Sequence, residues 1–273
     1  MNTRPFTIGV FDSGIGGFSI LKELVKTLPE CKFIYYSDDA NAPYGPKSDE
    51  FITERSISIT KDLLNQGASI IVVACNTATA ASIEALRKQF SEVPFVGVEP
   101  YLNAYHRVNN NEALNANKKI KMGVLTTVST GKSVRFLKLV ERIDPEHKIK
   151  QYSLVHLAKR VEELYYDKLS KEKFRELLKE ELEEVKKEEF THLILGCTHY
   201  PLVASAISEI TGAETLSPCQ YVALRVRDLL KNFNKELNNS ENQINIFYFY
   251  SSSIQNWVEM KRDQFLEKFN QLK

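Results

Sequence analysis

The chain has 273 residues, 43% of them hydrophobic, which suits one large or two modest globular domains with a substantial core. Its 36 Lys and Arg residues balance 35 Asp and Glu residues to a net charge of +1, so no overall field recruits nucleic acid or an anionic membrane. The N-terminus lacks the apolar core of a secretion signal and no apolar run approaches the roughly 20 residues of a membrane span, so we expect a cytoplasmic protein.

Apolar runs of strand length alternate with amphipathic segments of helix length along the chain. The predicted strands are Thr7 to Phe11, Phe33 to Ser37, Ser69 to Val73, Phe95 to Val98, Ile120 to Leu125, Ile149 to Leu154, His192 to Leu195 and Ile244 to Tyr250. The predicted helices are Phe18 to Leu28, Ser48 to Gln66, Thr77 to Phe90, Ser133 to Ile143, Leu157 to Leu169 and Phe174 to Glu188. This alternation predicts an α/β protein with parallel sheets flanked by helices.

The domain organisation is predicted from polar stretches and from one repeated pattern. Residues 109–119 and 232–243 are polar and nearly aperiodic, which is typical of surface loops. A strand that ends in a small residue, a cysteine and a polar side chain occurs twice, at Cys75 and at Cys197. We therefore expect two similar domains, the first formed by residues 1–100 and 211–273 and the second by residues 101–210, with the active site in the cleft between them.

A glycine-rich turn follows the first predicted strand. Asp12 and Ser13 stand at the strand end, and Gly14, Gly16 and Gly17 allow backbone N–H groups to approach an anion at the start of the next helix. The spacing is not that of a dinucleotide fingerprint, and the glycines alone are compatible with a plain tight turn. The acid and the hydroxyl beside them favour a functional site.

Two further loops are candidates for substrate contact. Residues 38–46 form a segment shaped by proline and glycine that could present Tyr44 and Gly45 to the same site, although a plain surface turn is an equal alternative. Residues 126–133 weakly resemble a P-loop, but Thr126 stands where that pattern requires glycine. We therefore exclude nucleotide binding there and retain the hydroxyls of Thr126 and Thr127 as candidate carboxylate ligands.

The cysteines carry most of the functional information. All four are widely spaced, without a C-x-x-C pair, so we expect reduced thiols rather than disulfides or a zinc ribbon. Cys31 and Cys219 are expected to be small buried hydrophobes. Cys75 and Cys197 each end a strand and precede polar residues, and His199 and Asp12 could assist such thiols in proton transfer. The other histidines have no comparable setting, and a metal site is disfavoured because only three ligands are in view.

Five short motifs follow one another in order along the chain. They are Phe11-Asp12-Ser13-Gly14-x-Gly16-Gly17, Pro43-Tyr44-Gly45, Ala74-Cys75-Asn76-Thr77-Ala78, Gly97-Val98-Glu99-Pro100 and Gly196-Cys197-Thr198-His199-Tyr200-Pro201. As a set they closely resemble the glutamate racemase family, within the aspartate/glutamate racemases, and the resemblance covers nearly the whole chain. Family members often have an acidic residue where this chain has Leu216-Ser217-Pro218-Cys219, and the loop at 109–119 looks enlarged.

The resemblance implies an isomerase that interconverts L- and D-glutamate without a cofactor or metal and supplies D-glutamate for peptidoglycan in the bacterial cell wall. The catalytic residues it implies are Cys75, Cys197, Asp12 and His199. The substrate-binding residues it implies are Asp12, Ser13, Tyr44, Gly45, Asn76, Thr77, Thr198 and His199. It assigns deprotonation of L-glutamate to Cys197 and of D-glutamate to Cys75. A homodimer is compatible with it, and no nucleic-acid or membrane partner is expected.

Chemical reasoning from the residues agrees with the resemblance. Inverting a carbon acid needs a base on one face and an acid on the other, and two groups of the same type can exchange these roles in a reversible reaction. Three alternatives remain open. A racemase of aspartate or hydantoins would share the mechanism, a Cys-His hydrolase would use Cys197 with His199 and leave Cys75 unexplained, and a silent binding protein would not need both thiols.

Overall fold

The computed structural model describes residues 6–110, 120–233, 246–261, 263–265 and 267. These residues fall into two compact units, which lie within Met1–Val98 plus Cys219–Gln271 and within Glu99–Pro218. We call them unit 1 and unit 2. That they are separate domains with breaks at residues 100 and 211 stays a prediction.

The described residues form ten strands, and their bounds follow in chain order. They are β1 (Thr7–Asp12), β2 (Lys32–Ser37), β3 (Ile70–Val73), β4 (Phe95–Gly97), β5 (Met122–Thr127), β6 (Ile149–Leu154), β7 (His192–Gly196), β8 (Glu214–Leu216), β9 (Ile246–Ser251) and β10 (Asn256–Lys261). In unit 1 the strand order is β10-β9-β2-β1-β3-β4, and in unit 2 it is β6-β5-β7-β8. Every pairing is parallel except that of β9 with β10.

The helices of the described residues connect these strands. They are α1 (Phe18–Thr27), α2 (Asp49–Asn65), α3 (Asn76–Gln89), α4 (Ala104–Asn109), α5 (Val128–Lys132), α6 (Val134–Ile143), α7 (Leu157–Tyr165), α8 (Lys171–Glu181), α9 (Glu183–Lys187), α10 (Ala204–Thr211) and α11 (Cys219–Phe233). Two short 3-10 helices cover Asp39–Asn41 and Tyr200–Val203. None of the described helices is long and apolar enough to cross a membrane.

The predicted fold class, α/β with parallel sheets flanked by helices, is confirmed, and local signals explain several boundaries. The Ser48 hydroxyl accepts the N–H of Phe51 at 3.2 Å and so caps α2. Gly67, with φ +89°, follows that helix in a backbone conformation that suits glycine. The helix predicted to reach Leu169 ends at Tyr165 instead, because Asp167 has a left-handed φ of 54°.

The structure differs from the sequence expectations in several other details. The strand expected to begin at Ile120 spans Met122–Thr127, and the helix expected over Phe174 to Glu188 is interrupted at Leu182. Strands β8 and β10 were missed, because β8 has three residues and β10 is mostly exposed, so neither has an apolar run. The antiparallel pairing of β10 with β9, at the edge of the unit 1 sheet, was not predicted. Most of the two predicted loops, residues 111–119 and 234–243, lies outside the described residues.

The sheet register brings the functional segments of each unit to one edge. In unit 1, Asp12 pairs with Ser37 and Phe11 pairs with Val73, so β1, β2 and β3 end side by side. In unit 2, Thr126 pairs with Gly196 at the ends of β5 and β7. Ligands of parallel α/β sheets bind at such carboxyl ends.

Candidate active site

Cys75 lies at the junction of β3 and α3 in unit 1. It is buried, and its Sγ accepts the N–H of Ala78 at 3.4 Å, so the thiol is the N-terminal cap of the helix. The same Sγ lies 3.9 Å from Ser13 Oγ, within reach of a weak hydrogen bond. Because the N-terminal end of a helix carries partial positive charge, this position stabilises a thiolate.

Asp12 and Ser13 are fixed by the turn that follows β1. The buried Asp12 carboxylate accepts the N–H of Gly14 at 2.8 Å, and the hydroxyl of Tyr35 donates to the Gly14 carbonyl at 2.7 Å. A Cβ at Gly17 would lie 2.6 Å from the Tyr35 hydroxyl and 2.8 Å from the Asp12 Cβ, so this position requires glycine. The turn therefore holds Ser13 against the Cys75 thiol.

Asn76 has an unpaired buried amide. The residue is 4% exposed, and neither Oδ1 nor Nδ2 of its side chain has a hydrogen-bond partner within the described parts of the chain. An unsatisfied buried amide costs about 1–3 kcal/mol, so such a group is usually kept for a ligand or water. The neighbouring Thr77 is also buried. Both residues occupy the first turn of α3, beside Cys75.

Tyr44 belongs to a buried polar network that the sequence did not reveal. Its hydroxyl donates to Asp38 Oδ2 at 2.6 Å, and Arg55 makes two hydrogen bonds to the same carboxylate, at 2.6 and 3.0 Å. Asn41 donates to Asp38 Oδ1 at 3.0 Å. Burial alone would raise the pKa of Asp38, but its hydrogen bonds outweigh burial and hold the pKa below 3.8.

The network decides what Tyr44 can offer to a ligand. Burial, followed by the charge of Asp38, raises the pKa of the Tyr44 phenol, so it stays protonated. Its one proton is donated to Asp38, so the phenol oxygen can only accept a further hydrogen bond. Gly45 has open space where a Cβ would stand, so the backbone beyond Tyr44 is accessible to a ligand.

Asp39 anchors the other side of the same loop. Its carboxylate accepts hydrogen bonds from the hydroxyls of Ser251, Ser252 and Ser253 at 2.7, 3.2 and 2.5 Å. Ser251 is the last residue of β9, and Ser252 and Ser253 begin the turn to β10. Residues 251–253 therefore stabilise the loop between β2 and α2 through Asp39.

Cys197 lies at the end of β7 in unit 2 and is followed by a hydrogen-bonded chain. Its Sγ lies 3.7 Å from His199 Nδ1, and His199 Nε2 lies 2.6 Å from Glu162 Oε1 of α7. Burial alone would lower the pKa of His199, but hydrogen bonds to Cys197 and Glu162 outweigh it and hold the pKa well above 6.5. A cationic imidazole stabilises a thiolate on Cys197.

The residue before Cys197 has to be a glycine. A Cβ at Gly196 would lie 2.7 Å from the carbonyl oxygen of Leu125, so β7 can end here only with glycine. Thr198 is buried beside the thiol, and the Tyr200 hydroxyl donates to the Thr126 carbonyl at 3.2 Å. Burial, followed by the charge on Cys197, raises the pKa of Tyr200. The motif Gly196-Cys197-Thr198-His199-Tyr200 therefore contacts β5 at both of its ends.

The remaining candidates have structural partners. The Thr126 hydroxyl lies 3.3 Å from the Ser153 hydroxyl, and the Thr127 hydroxyl caps α5 by accepting the N–H of Thr130 at 3.2 Å. Cys31 and Cys219 are buried, and burial followed by the charge of Glu30 raises the pKa of the Cys31 thiol to about 12. No group of three or more His, Cys, Asp or Glu that could hold a metal ion is found where the structure describes the chain.

The structure therefore places the predicted residues in two groups, one in each unit. We call these groups half-sites after the single active site that the sequence predicts. The unit 1 half-site contains Asp12, Ser13, Cys75, Asn76 and Thr77, with Tyr44 and Gly45 on the loop after β2. The unit 2 half-site contains Cys197, Thr198 and His199. Sequence reasoning missed Glu162, Asp38 and Arg55. Glu162 and Arg55 sit within ordinary charged helices and had no distinguishing signal, whereas Asp38 stands at a strand end, as Asp12 does.

Comparison with known proteins gives consistent matches. Residues 8–225 match the family model described as Asp/Glu/Hydantoin racemase. A protein of Pseudomonas aeruginosa named glutamate racemase is 39% identical over 216 residues, which cover 78% of this chain and 77% of the relative.

Solved structures of proteins named glutamate racemase are also similar to this chain. The crystal structure of Escherichia coli glutamate racemase in complex with L-glutamate and the activator UDP-MurNAc-ala has a TM-score of 0.78 and 27% identity, over 98% of this chain and 96% of that one. The glutamate racemase of Francisella tularensis in complex with D-glutamate has a TM-score of 0.73 and 26% identity, over 100% and 94%.

Proposed function

This chain belongs to the Asp/Glu/Hydantoin racemase family, and on that premise we propose that its two buried thiols are the acid and the base of a glutamate racemase. The reaction is the interconversion of L- and D-glutamate. The observation that carries the proposal is the matched placement of Cys75 and Cys197, each at the end of a parallel strand and each beside a group that stabilises a thiolate.

The two-thiol arrangement suits the chemistry of the reaction. Racemisation removes the α-proton from one face of the carbon and returns a proton to the other face, so it needs two groups in opposite protonation states. In one direction the thiolate of Cys197 takes the proton from L-glutamate while the thiol of Cys75 donates one, and in the other direction the roles reverse. The enzyme then returns to its starting state by exchanging protons with solvent.

Each thiol has a different source of stabilisation for its charged form. Cys75 relies on the first turn of α3, whose Ala78 N–H points at the sulfur. Cys197 relies on His199, which Glu162 orients and keeps cationic. Asp12, at the end of β1 next to Ser13, completes the catalytic set in unit 1 by orienting the turn beside Cys75.

The substrate brings two carboxylates and an ammonium group, which need dedicated partners in a protein of net charge +1. We assign the carboxylates to the hydroxyls and backbone N–H groups of Ser13, Thr77 and Thr198, to the unpaired amide of Asn76 and to the backbone at Tyr44 and Gly45. Asn76 is the strongest of these because its buried Nδ2 has no partner, and a bound carboxylate can accept a hydrogen bond from it.

We also propose the cofactor use, cellular location and partners of the enzyme. The residues supply both proton-transfer groups, so the mechanism uses no cofactor or metal. D-glutamate produced in the cytoplasm serves peptidoglycan synthesis. The partner is the substrate itself, with no nucleic acid or membrane, and we propose a homodimer as the assembly.

Circular dichroism of L-glutamate incubated with the pure protein tests the function. We expect the signal to decay to zero, at equal rates per enzyme in wild type and in the control variant Cys31→Ala, and not to decay with Cys75→Ala. Loss of the signal of L-aspartate at a higher kcat/KM would assign the protein to a related substrate instead. A burst of released acyl product without racemisation would favour the Cys-His hydrolase.

A further inference from the structure

The helix that carries Glu162 lacks a capping side chain of its own. In α7, the residue before the first turn is His156, whose side chain makes no capping hydrogen bond. The first N–H groups of a helix have no partner within the helix and must be satisfied elsewhere. Here Glu181, the last residue of α8, supplies the partner, and its Oε1 accepts the N–H of His156 at 2.7 Å and that of Leu157 at 3.2 Å.

The second oxygen of Glu181 is also engaged. Arg160 Nη1 donates to Glu181 Oε2 at 2.8 Å and to the carbonyl of Leu177 at 2.8 Å. The side chains of Arg160 and Glu181 are only 16% and 10% exposed, so this pair is shielded from salt and water. A carboxylate at a helix N-terminus also interacts favourably with the helix dipole. Glu181 therefore fixes α7 to α8 at three points.

The same helix presents Glu162 to the Cys197 half-site. Glu162 follows Leu157 by five residues, which places it roughly 8 Å further along the helix axis. Its Oε1 lies 2.6 Å from His199 Nε2, and α7 packs against the 3-10 helix Tyr200–Val203 that follows His199. The charge of Glu181 is close enough to act on the Tyr200 phenol. A small shift at the start of α7 would therefore change the contact between Glu162 and His199.

We propose that Glu181 is a positioning residue for the Cys197 half-site: by capping α7 it holds Glu162 in hydrogen-bonding distance of His199. The inference rests on the proposed function for its kinetic consequence, but the contact itself does not depend on substrate. Without the cap, Glu162 orients His199 less well, and the imidazole supports a thiolate on Cys197 less well. The side chains that meet the two ring nitrogens of His199 are Cys197, at Nδ1, and Glu162, at Nε2.

The test compares Glu181→Ala, Glu181→Gln and the control Glu180→Gln, whose residue is exposed on the same helix. The first readout is the titration of the His199 imidazole, followed by NMR in the full-length protein without substrate. We expect Glu181→Ala to lower its midpoint by about one pH unit, because the hydrogen bond to Glu162 weakens. Glu181→Gln keeps one acceptor oxygen but loses the charge, so the His199 midpoint in this variant should lie between those of wild type and Glu181→Ala.

The second readout is racemisation well below the unfolding temperature. For Glu181→Ala we expect kcat to fall about ten-fold or more with KM changed less than about three-fold, since a displaced group affects chemistry more than binding. Glu181→Gln should retain about a third of the wild-type kcat. Glu180→Gln should match wild type in both readouts.

Two results would overturn the proposal. One is a Glu181→Ala protein that differs from wild type only in unfolding temperature, with unchanged kcat and His199 titration. The other result applies if Glu181→Ala does not fold. It is a Glu181→Gln protein whose kcat and His199 titration midpoint equal those of wild type. A wild-type protein that racemises nothing would refute the proposed function, whereas the His199 titration would still test the role of Glu181.

Discussion

Replacing Arg55 by methionine tests the buried network behind Tyr44. The Asp38 side chain is 0% exposed and that of Arg55 is 27% exposed, and the two are joined by hydrogen bonds of 2.6 and 3.0 Å. Breaking a buried ion pair by removing one partner costs about 3–5 kcal/mol. Because Arg55 is partly exposed and Tyr44 and Asn41 still donate to Asp38, we expect a loss of about 2–3 kcal/mol in the free energy of unfolding at pH 7.

The loss should depend on pH in a direction that follows from the charge on Asp38. In the wild type the pKa of Asp38 is lowered on folding, so its contribution to stability is present above the unfolded pKa of about 3.9 and is lost as the pH falls through the folded value. Arg55→Met removes a hydrogen bond and a charge that lower this pKa, while burial, the largest influence, remains. We therefore expect the pKa of Asp38 to rise relative to wild type, and its protonation to relieve the unpaired charge. The gap in the free energy of unfolding between wild type and variant should therefore narrow from pH 7 toward pH 4.

Urea denaturation at pH 7, 5.5 and 4 measures this gap. The control is Arg87→Met, which removes an exposed pair with Glu84 and should change the unfolding free energy by less than about 0.5 kcal/mol. A loss in Arg55→Met no larger than the control, or a gap that stays constant down to pH 4, would refute the reasoning.

Three further predictions concern the substrate and the mechanism. Thr198→Val should lower kcat/KM for glutamate by about ten-fold or more, as expected for a lost hydrogen bond to a charged group, and unchanged kinetics would remove Thr198 from the site. Gly45→Ala should leave the unfolding midpoint unchanged, because an added Cβ meets nothing within 4 Å, but should raise KM several-fold if substrate approaches the backbone there. Activity should survive dialysis against EDTA and treatment with carbonyl reagents, and restoration of lost activity by zinc would contradict the cofactor-free mechanism.

The sequence predicts the framework well where local chemistry determines it. Ser48 caps α2 and the Cys75 pattern follows a buried strand, and both are recognisable because the cap and the strand end need particular residues in particular order. The strands β8 and β10 were not recognisable, since a three-residue strand and an exposed edge strand carry little periodicity.

The sequence indicates the two candidate thiols but not the groups that contact them from distant parts of the chain. Cys75 and Cys197 stand at strand ends, where pattern alone suggests function. Glu162 lies 37 residues before His199 and Arg55 lies 17 residues after Asp38, in helices whose charges look like ordinary solvated faces. Contacts between residues so distant in sequence depend on tertiary packing, which no local pattern encodes.

The central claim, that different thiols remove and deliver the α-proton, is tested most directly by racemisation in D₂O. Starting from either enantiomer with wild-type protein, NMR should detect deuterium in the product well before the remaining substrate acquires it, because the departing proton and the incoming deuteron belong to Cys75 and Cys197 separately. Deuterium that enters the recovered substrate as fast as the product forms would contradict the account, since it would indicate a single base.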